Sequence, residues 1–422
     1  MTLIIVGYLP VLPVLDHFPP DSVLLVDEPD VIRKRGVAAA MAGAPMLREL
    51  IGWEYTSPAS ADEFYNTHPD LAPTMVVPLL EYATPFAARL AERYGLPGAG
   101  SAAAAILRDK SQLRRVTRAA GIANPPSRGV DCPDDVRAFM AEFPGPVVLK
   151  PANRQASVGT KVLHDATEVD QAWAECVAQD EGALVPDRRM PLHMLVEGYL
   201  RGPEYSVELL VREGETLFAN VTAKTLFPGP RPVELGHTVP ADIPDALAAR
   251  MRDRTEAVLR AVGFASGVVH CEWIVVEGEP HLVECAGRFP GDGIAELIER
   301  AYPVNLAAAY YAVMRGERPD PLPTRARHGA TVRFLRLAPG EVTTIEGVDE
   351  AAAIPGVVRA TLTVTEGDEV RELRSSWDRA GSVMAVAETP GAAEKTAELA
   401  IERIRVEVLS TRPVTIPGRI HR

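Results

Sequence analysis

Cysteine is scarce in this chain. Cys132, Cys176, Cys271 and Cys285 are the four in 422 residues, and none forms a Cys-x-x-Cys pair or a zinc-ligand spacing. A disulfide framework and a structural zinc site are thereby excluded, and Cys271 and Cys285 read as small core residues in a reducing compartment. No run approaches the roughly 20 apolar residues that a membrane helix needs. The opening Leu3-Ile-Ile-Val-Gly7, followed by Pro10 and Pro13, lacks a basic leader and reads as a first strand, not a signal peptide. Gly-x-Gly-x-x-Gly and P-loop spacings are missing, so no dinucleotide is implied. Basic excess is missing too: the net charge of −13 disfavours a nucleic-acid or anionic-membrane surface, so any anion site must be built locally. Internal repeats and low-complexity tracts are absent. What remains, 47% hydrophobic and 24% charged residues, is the composition of an ordinary globular protein, and the length suggests about three domains.

The richest stretch is His270-Cys271-Glu272, then eleven residues, then Glu284-Cys-Ala-Gly-Arg288-Phe-Pro-Gly291. Alternation through Val268, Val269 and Trp273 to Val276, with Gly278 as the turn, predicts an antiparallel hairpin with Glu272 and Glu284 side by side on one face. Paired carboxylates suit Mg²⁺, which takes one or two carboxylates plus phosphate oxygens and water. Arg288 then lies within reach of a terminal phosphate. The alternative reading is a charged hairpin face with an Arg–Glu pair.

Upstream, Gly98 opens a segment through Arg-Asp109-Lys110, with Leu113, Val116 and Ala120 at helical spacing and a stop at Gly121. An apolar strand, Pro146 to Leu149, runs into Lys150-Pro151, and Asn153 to Lys161 supplies a polar turn with Ser157 and Gly159. Backbone N–H groups in such a turn can cradle phosphate, although an ordinary hairpin turn reads the same way. Met194 to Leu200 forms a strand and hinge ahead of Arg-Gly-Pro-Glu204 and a second strand. Such a hinge suits adenine, and Glu204 suits ribose hydroxyls.

The order and spacing of these four groups, from about Gly98 to Asn305, resemble the ATP-grasp superfamily of carboxylate–amine ligases. The run Glu284-x-Ala286-x-Arg288-Phe-x-Gly291 is similar to the L-amino acid ligase, or dipeptide synthase, branch. Many other ATP-grasp enzymes carry Asn where Ala286 stands, so here Glu272 and Glu284 alone must hold the metal, with phosphates and water. The resemblance implies ATP and two Mg²⁺ ions as cofactors, with Mn²⁺ able to substitute. It implies that Lys110 and Lys150 hold the α- and β-phosphates under the loop of Ser157 and Gly159. Glu197 is the implied adenine-side acid, Gly198, Tyr199 and Leu200 the hinge, and Glu204 the ribose acid. Arg288, Lys224 and His270 are the implied catalytic set, and His237, Gly291 and Asp292 the substrate set. For Lys224 the alternative is a solvated strand-end lysine, and for His237 and His270 a hydrogen-bonded histidine without substrate contact.

The implied fold mixes α/β and α+β layers. A pre-ATP-grasp domain with a parallel sheet spans 1–97, where strands at Leu3 to Val6, Val23 to Val26 and Met75 to Val77 alternate with helices, one through Phe86, Leu90 and Tyr94. A helical linker covers 98–123, a lid subdomain 124–196, and a metal-binding antiparallel-sheet subdomain 197–322, with a helix bearing Leu247, Met251, Val258 and Val262. Beyond the Pro-rich 316–324, residues 323–422 form an α+β module. Its strands are expected at Ala330 to Leu337, Gly340 to Ile345, Val357 to Val364 and Ser382 to Val386, and its helix face at Ala393, Ala397, Ile401 and Ile404. The expected function is ATP-dependent amide formation between an amino acid or related carboxylate and an amine, through an acyl phosphate. Asp292, facing the cleft, is expected to select a cationic amine or else to be a turn residue beside Gly293. A homodimer in the cytoplasm is expected, acting on small molecules. The alternatives are a biotin-carboxylase-like or purine-pathway ATP-grasp enzyme, or a nucleotide-binding protein without turnover.

Overall fold

The computed structural model describes residues 1–9, 18–57, 59–178, 181–229 and 231–409; Pro10, Pro13 and positions 410–422 of the expected C-terminal module lie outside the described residues. The chain opens on a parallel sheet in the order Leu47–Gly52, Val23–Asp27, Leu3–Val6, Met75–Pro78. Three of these strands are apolar runs, Val23–Asp27 ending on a buried carboxylate, and are buried throughout because both sheet faces are covered. The fourth, Leu47–Gly52, escapes a sequence reading because Arg48 and Glu49 interrupt it and it lies half-exposed at the edge. The helix Thr84–Arg93 packs its Phe86 and Leu90 into this layer. At the C-terminal ends of the sheet, where such folds place ligands, the strands release Tyr8, Glu28 and Glu81.

The helical linker is two helices, Ser101–Leu107 and Lys110–Ala119. They break at Asp109, whose carboxylate caps the second by accepting from the N–H groups of Ser111 (2.8 Å) and Gln112 (3.2 Å). A smaller unit follows, over the residues expected to form the lid. Its antiparallel sheet runs Ser127–Val130, Met194–Gly198, Val147–Pro151, Lys161–Leu163, backed by helices Pro133–Glu142 and Val169–Val177 around a separate core of Val136, Leu149, Leu163 and Val196.

The main body is one eight-stranded antiparallel sheet, ordered Glu279–Ala286, Gly267–Val276, Glu204–Arg212, Glu215–Leu226, Glu234–Val239, Gly329–Leu335, Gly381–Ala387, Val357–Leu362. The expected boundary at residue 322 is therefore no break in the sheet: Gly329–Leu335 pairs directly with Glu234–Val239. Within the C-terminal module a small sheet of Glu369–Val370, Gly340–Glu346 and Arg405–Leu409 stands apart. The C-terminal helix ends at Ile401, so Ile404 lies beyond it, and the strands expected to reach Leu337 and Val364 stop at Leu335 and Leu362. The helix Asp245–Val262 carries the expected apolar side and stops at Gly263, whose φ of 75° is the left-handed cap that glycine adopts without penalty.

One face of the big sheet is apolar, with Val207, Leu209, Val269, Cys271, Trp273 and Cys285 packed under the helix Asp245–Val262. Both cysteines thus sit in the core as expected. The other face carries charge around Glu272, Glu284, Lys224 and His270, and elsewhere, at Leu210, Phe218 and Val268, it packs into a second apolar core with the first domain. Among the described residues no helix is long and apolar enough to cross a membrane.

Candidate active site

The ladder places Glu272 directly opposite Glu284. Its register shifts beside them, between Glu272 and Trp273, so that Trp273 pairs Leu282 and Val283 is the extra residue. The bulge lets Leu282 enter the apolar core while Glu284, two residues on, faces the charged side. It also frees the Val283 carbonyl, which accepts from Arg114 Nη2 at 2.7 Å.

Lysines meet these acids. Lys224 Nζ stands 2.6 Å from Glu272, 3.7 Å from Glu234 and 4.0 Å from Glu204, with 3% of its side chain exposed, so the solvated-lysine alternative is wrong. Burial alone would lower its pKa, but Glu272, Glu234 and Glu204 hold it well above the usual lysine range. Glu204 is pushed up to about 7 by burial and by Glu272 and Glu234, against the pull of Lys224. Lys110 Nζ pairs with Glu284 at 2.8 Å and donates to Arg154 O at 2.9 Å. Lys150, at the strand mouth, pairs with Glu197 at 2.6 Å.

Glu197 lines the same cleft as Lys150, Leu200 and Glu204. It is 3% exposed and held by Arg114 Nε at 2.7 Å as well as by Lys150. Burial works against its charge, yet Arg114 and Lys150 bring its pKa down to about 2. The hinge follows at once, and a side chain at Gly198 would meet the Phe143 ring at 2.5 Å. The N–H groups of Gly198 and Tyr199 already donate to Pro126 O and Pro146 O, at 2.8 and 2.9 Å. Of the three hinge residues, Leu200 alone keeps its N–H free of protein acceptors among the described residues. In the polar turn, Ser157 and Gly159 both have positive φ, 56° and 67°, and the Ser157 hydroxyl donates to Pro232 O at 3.0 Å.

Arg288 is fixed by a residue from the first domain: Nε donates to Glu81 Oε2 at 2.5 Å and Nη1 to Phe289 O at 2.8 Å. Glu81 follows the strand Met75–Pro78, and despite burial its pKa is held low by Arg288, Arg108 and Lys110. The first domain also grips the lid, through Arg188 on Glu28 (2.7 Å to each carboxylate oxygen) and Tyr82 on Glu181 (2.5 Å).

His270 stands between carboxylates, Nδ1 at 2.9 Å from Glu208 and Nε2 at 3.2 Å from Glu272. Burial opposes its charge, but those two acids raise its pKa to about 9. Glu208 is otherwise satisfied by Ser206, Asn220 and Thr222, at 2.7 to 2.8 Å. His237 lies across the ladder from Lys224, with Nε2 3.0 Å from Asp292. Asp292, between Gly291 and Gly293, is also held by both terminal nitrogens of Arg379. These partners outweigh burial and keep its carboxyl well below the usual range. Its charge is therefore met inside the protein, and selection of a cationic amine by Asp292 requires Arg379 to be displaced.

The donors fit a hard divalent cation. Glu272 and Glu284 supply oxygen ligands on one face, and among the described residues no cluster of three or more His, Cys, Asp or Glu is placed to hold a metal unaided. A cation held by these two carboxylates would need phosphate oxygens and water to complete its shell. Glu81, Arg114, Glu208, Glu234 and Arg379 were not singled out from the sequence. Only Glu81 left a signal there, its place just after a strand of the parallel sheet.

Residues 143–296 match the ATP-grasp domain model, and residues 333–409 match the model of L-amino acid ligase C-terminal domain 2. A D-alanine–D-alanine ligase of Anaeromyxobacter is 31% identical over 225 residues, covering 50% of this chain and 67% of that protein. The chain belongs to the ATP-grasp family of ligases. An uncharacterized protein, y4rH, of Sinorhizobium fredii is 31% identical over 324 residues, covering 76% of this chain and 65% of that one. An L-amino acid ligase from Bacillus licheniformis has a similar fold, with a TM-score of 0.76 at 17% identity, covering 97% of this chain and 99% of that one. The chain spans about half to two thirds of the length of the first curated relatives it matches.

Proposed function

We propose that the protein is an ATP-dependent carboxylate–amine ligase that joins an amino acid, or a related carboxylic acid, to an amine, with release of ADP and phosphate. The observation that carries this reading is the facing pair Glu272 and Glu284 with Lys110, Lys150, Lys224 and Arg288 gathered around it on one sheet face. Phosphoryl transfer asks little covalent chemistry of a protein; positioning and charge neutralisation do most of it.

Lys110 and Lys150 hold the α- and β-phosphates, beneath the turn of Ser157 and Gly159. Glu204 takes the ribose hydroxyls, and the free N–H of Leu200 reads the adenine edge. Glu272 and Glu284 would hold Mg²⁺, which would neutralise phosphate charge and polarise the transferred group. The substrate carboxylate attacks the γ-phosphorus and ADP leaves. Arg288, braced by Glu81, faces the transferring phosphoryl and then the oxyanion formed when the amine attacks the acyl phosphate. His270 keeps Glu272 oriented, and His237, Gly291 and Asp292 border the amino-acid position. The lid, latched by Arg188 and Glu181, excludes water from the acyl phosphate.

The test is ADP release by the purified protein with Mg-ATP across amino acids offered singly and in pairs, with mass spectrometry of products. Pair-dependent release, with a product equal in mass to the two substrates less water, is the expected result. Release that ignores the amino acids, or nucleotide binding with no turnover across the matrix, counts against the reading.

A further inference from the structure

The C-terminal module reaches the substrate side of the site through one short loop. Ser376 donates its hydroxyl to Glu234 at 2.6 Å and its N–H to Ala156 O, in the polar turn, at 3.4 Å. Three residues on, Arg379 grips Asp292 through a two-pronged contact, Nη1 to Oδ2 at 2.9 Å and Nη2 to Oδ1. The guanidinium is fixed from behind: its Nε donates to Ser376 O at 2.8 Å, and its carbon lies 3.6 Å from the centre of the Phe334 ring. His237 completes the arrangement on Asp292 Oδ2, and its Nδ1 is buried with no hydrogen-bond partner among the described residues.

Two features set this pair apart from an exposed ion pair. The Arg379 side chain is 10% exposed and that of Asp292 22%, so both charges are largely removed from water. Asp292 also follows Arg288 by four residues, and His237 faces Lys224 across the ladder, so the pair borders the reacting groups. Neither residue lines the cleft formed by Lys110, Lys150 and Glu204. An intact, desolvated pair of opposite charges is nearly neutral toward a neighbour, whereas a pair that loses one member leaves a strong uncompensated charge.

We propose that Arg379 is a specificity-determining residue of the ligase: by pairing with Asp292 it cancels the acid at the border of the site, so that the adjoining substrate side chain is a neutral one. This rests on the ligase reading above. Arg379 acts on specificity through Asp292 and is a positioning residue.

The account makes opposite predictions for the two halves of the pair. Arg379→Met exposes Asp292 and raises kcat/KM for L-lysine relative to the similarly shaped L-norleucine by about tenfold or more, the scale of a close charge pair. Asp292→Asn exposes Arg379 and shifts preference toward L-glutamate. The double variant returns to the neutral preference, and Arg379→Lys, which keeps the charge without the fork, retains it. A pair that merely docks the module lowers kcat/KM for all three amino acids by one factor in both single variants, and that result overturns the proposal. Should Arg379→Met fail to fold, Asp292→Asn, which keeps the side-chain shape, carries the test with the same two outcomes. Amino-acid-dependent ADP release by the unaltered protein reports on the ligase reading separately, so the two can fail independently.

Discussion

Neighbouring residues of the strand Gly267–Val276 face different media. Val269, Cys271 and Trp273 are fully buried in an apolar core under the helix Asp245–Val262, while His270 and Glu272, between them in sequence, sit in a network of charges. The apolar face is held by burial, at about 25 cal/mol per Å² of apolar surface removed from water. The charged face works against that tendency. It keeps Glu272, Glu208, Glu204, Lys224 and His270 out of water, and it is tolerable only because each charge has a partner. The contrast teaches a division of labour within one sheet: Val269, Cys271 and Trp273 stabilise the strand from one face, while His270 and Glu272 equip the other, beside a Val268 that is itself buried in a second apolar core.

That division can be broken face by face. The largest effect belongs to the charged face: Glu272→Gln or Glu284→Gln lowers ADP release by roughly a thousandfold or more, about 4 kcal/mol of barrier. Next is the apolar face. Trp273→Ala, removing a fully buried side chain, costs about 3–5 kcal/mol in urea unfolding. Arg114→Met costs a similar amount, about 3–5 kcal/mol, because Glu197 remains buried with half its compensation gone. If Trp273→Ala changes turnover more than stability, the two faces are not separable.

Charge in the first domain gives a pH signature. Asp27 is fully buried, and desolvation raises its pKa from 3.8 to about 6, despite N–H groups donated by Tyr8 and Glu28. The folded state therefore binds the Asp27 proton more tightly than the unfolded state. Its contribution is fully present below about pH 4 and is lost as pH rises through 6. Relative to Asp27→Asn, the unaltered protein loses about 3 kcal/mol across that window, read from unfolding curves at each pH. The smallest effect is expected at the exposed pair of Arg318 and Glu215, where Arg318→Ala changes stability by less than about 1 kcal/mol.

Much of the site was legible because its signals are local. The hairpin alternation placed Glu272 beside Glu284, and the strand mouth placed Lys150. Strict alternation misplaces Leu282, however, since the bulge at Val283 moves it to the opposite face. The partners that fix the reactive groups were illegible for a different reason. Glu81 reaches Arg288 across 207 positions, Arg114 reaches Glu197 across 83, and Arg379 reaches Asp292 across 87. No spacing rule connects such residues; only the packed domains do. The Pro-rich loop before 323 likewise says nothing of the sheet, whose pairing continues from Glu234–Val239 into Gly329–Leu335.

The central claim is that the charged face joins a carboxylate to an amine by way of an acyl phosphate. The most direct measurement follows oxygen-18 from a labelled substrate carboxylate during turnover with Mg-ATP and an amine partner. The account predicts that the label appears in the inorganic phosphate released, and that the transfer disappears in Glu284→Gln. Turnover that leaves the phosphate unlabelled would contradict it.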